Sequence, residues 1–146
     1  MYPGKGIKVI ISMIGLDGHS TGAQVVSKML MDAGMEVVYL GYYNPPEAIV
    51  QAAIQEDVDV IGISSHAANF NQIEELIDLL SKNDMGHVCV ICGGNIPKKQ
   101  VLKLKERGVA EVFAPQSTSE AIVDFIVSKV KPRNGRSNNK MHQGTL

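Results

Sequence analysis

The 146-residue sequence has no tryptophan, three phenylalanines, four tyrosines and two cysteines, and no apolar run approaches the length of a membrane span. A spanning helix needs about 20 consecutive apolar residues, so a membrane helix is not expected. Fourteen Lys and Arg against 15 Asp and Glu leave a formal net charge of −1, which offers no electrostatic basis for binding nucleic acid or an anionic membrane. The opening "MYPGKGIKVI" starts its apolar stretch late and reads as a strand, not as a secretory signal. Cys89 and Cys92 have the spacing of a redox pair, but they lie in the strand-like run "VCVICGG". Alternation sends their side chains to different faces or depths, so buried, inert thiols are expected, in a chain of the reducing cytoplasm.

What the sequence does contain is an ordinary globular balance, 45% hydrophobic and 20% charged, in a length suited to one domain with a substantial core. Apolar, β-branched runs alternate with helical periodicity. Strands are expected at 7–14, 36–40, 58–64, 87–92 and 111–114, and helices at 21–34, 45–56, 69–83, 97–108 and roughly 118–130. Prolines open the second and fourth helices, and Gly34 and Gly108 close the first and fourth. Five strand–helix units with apolar strands predict an α/β fold: a single doubly wound, flavodoxin-like (Rossmann-like) parallel sheet of order 2-1-3-4-5. Residues 1–131 are expected to form this domain. The polar stretch 132–146, "PRNGRSNNKMHQGTL", is expected to be a disordered, solvated tail.

In such sheets ligands bind beyond the carboxyl ends of the strands, where strand order reverses. Strand one leads into "GLDGHSTG", strand three into "SSHAAN", strand four into "CGGNIP" and strand five into "APQSTS", whereas strand two ends in the plainer "GYYNPP". One edge therefore collects Asp17, Gly18, His19, Ser20, Thr21, Gly22, Ser64, Ser65, His66, Gly93, Gly94 and Pro115. A loop histidine can ligate a metal through one ring nitrogen while a carboxylate fixes the other, and Asp17 stands two residues before His19. Gly22 and Gly93-Gly94 allow a bulky group to pass close to the backbone. Simpler readings exist for the same residues: Asp-Gly is turn chemistry, and Ser20 and Thr21 are good helix caps. His87 belongs to the opposite edge, so no zinc cluster with His19 and His66 is expected. There is neither a Walker-type phosphate loop nor an assembled Ser–His–acid triad.

Asp17-x-His19-x-x-Gly22, then Ser64-x-His66, then Gly93-Gly94, resembles the D-x-H-x-x-G … S-x-L … G-G signature of cobalamin-binding domains. The resemblance runs over about residues 6–131 and is to the methylmalonyl-CoA mutase family: the C-terminal domain of methylmalonyl-CoA mutase and the separate small subunits of related acyl-CoA mutases. It implies His19 as the lower axial ligand of cobalt ("base-off, His-on"), with Asp17 bonded to its other ring nitrogen. It further implies that Gly22 admits the nucleotide tail, that Ser64 contacts the displaced benzimidazole, and that Gly93-Gly94 lines the tail's slot. Two positions depart from the pattern: His66 replaces leucine, and Met13 stands where methylmalonyl-CoA mutases carry a lysine that joins the Asp–His network.

The resemblance also implies adenosylcobalamin as cofactor and a role as the small subunit of an acyl-CoA mutase, a radical carbon-skeleton isomerase. A TIM barrel takes roughly 250 residues, so the acyl-CoA-binding barrel of such enzymes is expected on a large partner subunit, without which this chain would be inactive. The alternative within the same cofactor class is a corrinoid protein of a methyl-transfer system, disfavoured because the first strand starts near Ile7 with no helical bundle before it. A remoter alternative is a flavodoxin-like flavin module, for which the aromatics are too few to stack on the ring.

Overall fold

In a computed structural model, the described residues are 2–15, 21–66 and 70–133. Five strands alternate with five helices: β1 Lys8–Ile14, α1 Thr21–Asp32, β2 Glu36–Asn44, α2 Pro46–Glu56, β3 Val60–Ser65, α3 Phe70–Lys82, β4 Cys89–Gly94, α4 Lys98–Arg107, β5 Glu111–Phe113 and α5 Ser119–Lys129. They form one parallel sheet in the order β2-β1-β3-β4-β5, as the alternation predicts. All seven residues of β1 are buried, because a central strand of a parallel sheet is covered on both faces and has no polar side to present.

Alternation along the strands divides the core in two. Ile10, Ile14, Ile61, Ile63, Val90 and Cys92 point to one face, under Ile49 of α2, Leu76 of α3 and Leu104 of α4. Val9, Ile11, Met13, Val60 and Ile91 point to the other, under Ala23 and Leu30 of α1 and Ile122 and Ile126 of α5. Cys92 is buried in the first cluster and Cys89 packs, half-buried, against the second. The two thiols are thus separated by the sheet, and burial pushes that of Cys92 up to about 12. Among the described residues no helix is long and apolar enough to cross a membrane.

Three expectations need correction. The second strand does not stop at residue 40 but continues to Asn44, because two register shifts let Gly41 pair with Ser12 and Asn44 with Ile14. Positive φ at Gly41 (80°) and Tyr43 (61°) accommodates the extra residues. His87 does not open the fourth strand, which begins at Cys89; it is exposed in the turn before it. Finally, Arg133 is not solvated slack. Its guanidinium bonds Asp57 at 2.6 Å and Asp59 at 3.0 Å, and its amide bonds the Gly6 carbonyl at 3.0 Å. The side chain of Asp59 is itself buried and also accepts from the Lys8 amide at 2.9 Å. The rest of the expected tail, 134–146, lies outside the described residues.

Candidate cofactor site

A slot of about 190 Å³ opens between α1 and α5, above the carboxyl-terminal halves of β1, β3, β4 and β5. The sheet supplies its floor through Ile11, Gly62, Ile91 and Gly93, α1 supplies Gly22, Ala23 and Val26, and α5 supplies Ile122. Phe113, Pro115 and Ser117 close the end beside β5. The slot exists because this face of the sheet carries small residues where the opposite face carries Ile61, Ile63 and Cys92: Gly62, Ser64 and Gly93 alternate with them along β3 and β4.

The glycines differ in what they do. A Cβ on Gly22 would meet nothing within 4 Å, and one on Gly93 would approach only the Phe113 carbonyl, at 3.8 Å. Both therefore leave space that a side chain would take from the slot. Gly94 is different: it has φ +108°, and a Cβ there would collide with the carbonyl oxygen of Ser65. Its role is backbone geometry, since the amide that follows, Asn95 N, donates to that same carbonyl at 3.0 Å.

Of the residues singled out from sequence, Gly22, Ser64, His66, Gly93, Gly94 and Pro115 come together around the slot. Ser64 Oγ lies 3.4 Å from His66 Nδ1. Ser65 is fully buried in the sheet and is not part of the slot lining. Thr21 opens α1. Asp17, Gly18, His19 and Ser20 lie outside the described residues, between Gly15 and α1. Met13 is fully buried and pairs in register with Ser64. Sequence reading attended to loops after strands, so it missed the apolar walls: Ile11 within β1, Val26 one helical turn after Gly22, and Ile122 of α5. The i, i+4 relation of Gly22 and Val26 was the available signal.

These features define a doubly wound α/β domain with a slot at the carboxyl ends of β1, β3, β4 and β5. The B12 binding domain family matches residues 7–123, and the chain belongs to it. The chain is 39% identical over 131 residues to the 2-hydroxyisobutanoyl-CoA mutase small subunit of Aquincola tertiaricarbonis, a match covering 89% of this chain and 96% of that one. It is 38% identical over 122 residues to the pivalyl-CoA mutase small subunit of Xanthobacter autotrophicus, covering 84% and 82%. The fold is similar to the crystal structure of a cobalamin-binding protein from Desulfitobacterium hafniense, with a TM-score of 0.75 and 21% identity over 87% of this chain and 60% of that one.

Proposed function

We propose that this chain is the cobalamin-binding small subunit of a heteromeric, adenosylcobalamin-dependent acyl-CoA mutase, acting in the cytoplasm with a large subunit that carries an acyl-CoA-binding TIM barrel. The observation that carries the reading is the slot between α1 and α5, held open where Gly22 and Gly93 have no side chain. That void suits the nucleotide tail of a corrinoid in a chain of the B12-binding family. When bound, the cofactor supplies a weak cobalt–carbon bond whose homolysis starts radical chemistry.

The chain's own residues bind and orient. His19 would hold the cobalt through one ring nitrogen, and Asp17 would accept a hydrogen bond from the other, fixing the tautomer. Gly18, Ser20 and Thr21, the neighbours of His19 in the sequence, would belong to the same cofactor-binding stretch. The apolar walls at Ile11, Val26 and Ile122 keep water from the tail, while Ser64 and His66 provide polar contacts. The two relatives named above bear different acyl groups in their names at nearly equal identity to this chain, which supports placing substrate choice in the large subunit.

The test is a visible spectrum after adenosylcobalamin is mixed with the chain and free cofactor is removed by gel filtration. Wild type is expected to retain a base-off, His-on spectrum, and His19→Ala to lose histidine ligation. A retained corrinoid with the same axial ligation in both would overturn the role of His19.

A further inference from the structure

β1 ends at Ile14, and the backbone of Gly15 after it is held on two sides. Its N–H donates to the Asn44 carbonyl at 2.8 Å. It takes φ +65°, and the side-chain amide of Gln72, in the first turn of α3, occupies the place where a Cβ would stand. The Met13 side chain is buried and apolar, so it lends this exit no polar support. That support comes from β2 instead. Asn44 Nδ2 lies 3.0 Å from Ser12 Oγ, and 3.2 and 3.1 Å from the Leu40 and Gly41 carbonyls. Ser12 is fully buried, and its hydroxyl donates to the Met13 carbonyl at 2.6 Å. One asparagine thus joins the end of β2 to the end of β1, through its side chain and through its backbone.

The arrangement is held against local preference. Tyr43, directly before Asn44, takes φ 61°, a conformation unfavourable for any residue with a Cβ. A parallel strand pair needs neither that strain nor the two register shifts beside it. Such strain persists only where the surrounding contacts over-determine it, and it gathers at functional sites. His19 lies four residues beyond Gly15 in the sequence. A functional side chain keeps its geometry to within about 0.5 Å only when the groups that support it are locked.

We infer that Asn44 is a positioning residue for the axial ligand: it fixes the point at which the chain leaves β1 toward His19, so that less conformational freedom is lost when the imidazole meets cobalt. This rests on the proposal that His19 ligates the cofactor.

The experiment is a double-mutant cycle of Asn44→Ala and His19→Ala, read as equilibrium binding of adenosylcobalamin by visible absorbance, at a temperature where circular dichroism finds each variant folded. Arg133→Ala, matched in expected loss of stability but at the other end of the sheet, is the control. Asn44→Ala should weaken binding roughly 10-fold where His19 is present and less than about twofold in the His19→Ala background. Arg133→Ala should bind as wild type does. Ser12→Ala, which removes one partner of the amide and leaves the others, should follow the same pattern to a smaller degree, and it carries the cycle if Asn44→Ala does not fold. A second readout needs no cofactor: exchange of the Gly15 amide, followed by NMR, should be at least about 10-fold faster in Asn44→Ala, or in Ser12→Ala if that variant carries the cycle. Equal weakening in both backgrounds overturns the inference, because a role through the fold alone does not depend on His19. Unchanged affinity, unchanged Gly15 exchange, or an equal loss of binding in Arg133→Ala overturns it too. If His19→Ala binds as tightly as wild type with the same axial ligation, the underlying proposal fails as well; if His19→Ala loses that ligation while the Asn44 effect is the same in both backgrounds, only the positioning role fails.

Discussion

The side-chain amide of Asn44 donates to Ser12 Oγ at 3.0 Å, tying the end of β2 to the buried middle of β1. The same Nδ2 lies 3.2 Å from the Leu40 carbonyl and 3.1 Å from that of Gly41. The Asn44 carbonyl in turn accepts from Gly15 N at 2.8 Å. Asn44 therefore closes the bulged end of β2 and holds Gly15, the residue after β1, against it. Asn44→Ala should cost about 1–3 kcal/mol, because it leaves partly buried acceptors without their donor. Asn44→Asp should be at least as damaging at neutral pH, since a carboxylate would face two carbonyls. Chemical denaturation of the three proteins checks both statements, and a stable Asn44→Asp would contradict this account of the bulge.

Gly93 and Gly94 are adjacent and should respond in opposite ways. Gly93→Val adds a β-branched residue to a strand where its Cβ has room, so the melting temperature should hold or rise. The new side chain occupies the slot, so retention of adenosylcobalamin on gel filtration should fall more than about 10-fold, the loss of at least one good contact. Gly94→Ala meets both a positive φ and the Ser65 carbonyl, and should cost more than about 2 kcal/mol. Equal destabilisation by the two substitutions would show that Gly93 is packed and not open.

Burial holds the Cys92 thiol protonated to about pH 12 in the folded chain, whereas an unfolded thiol releases its proton near pH 8.5. Above that point the unfolded state binds fewer protons than the folded one, so stability must fall as pH rises. The slope from this one group approaches about 1.4 kcal/mol per pH unit between the two values. Cys92→Ala should remove that component from the difference in stability between pH 8 and pH 10. Below pH 8 the thiol contributes no slope, and a maleimide should label Cys92 only in denaturant. Rapid labelling of Cys92 in the native chain would count against its burial.

Arg133 spans Asp57 and the buried Asp59 from the far end of the chain. Its removal in Arg133→Ala strands part of the Asp59 charge, although the Lys8 amide remains bonded to it. The expected cost is about 1.5–3 kcal/mol, as for a hydrogen bond to a charged group. Arg133→Lys should recover little of this, because one ammonium cannot reach two carboxylates as the guanidinium fork does. Urea denaturation of the two variants measures the difference; a full rescue by lysine would mean that charge alone matters.

Local periodicity was enough to place the five strand–helix units. The apolar continuity of "IKVIISMI" and "VDVIGIS" marked central strands, since only a strand covered on both faces has no polar side. Parallel strands joined by right-handed crossovers then leave few topologies, and those bring the loops after β1, β3, β4 and β5 to one edge. The polar and glycine signals at Ser64, His66 and Gly93 were legible for the same reason, since each directly follows a strand or closes it, and Gly22 stands in the first turn of the helix after β1. The extension of β2 was not legible, because Gly41-Tyr42-Tyr43-Asn44 has no alternating pattern and is held in the sheet by partners 32 residues away in Ser12. Nor were the slot walls at Val26 and Ile122, which read as ordinary core positions until α1 and α5 are laid side by side. Arg133 pairs with Asp59 across 74 residues, and nothing in the polar text around it announces that. Sequence by itself determined the order of elements, the buried faces and the edge where chemistry gathers, since these follow from short-range pattern and chain connectivity. The tertiary structure alone decided which side chains enclose the slot and which charges meet, because those depend on distances between segments that local pattern does not encode.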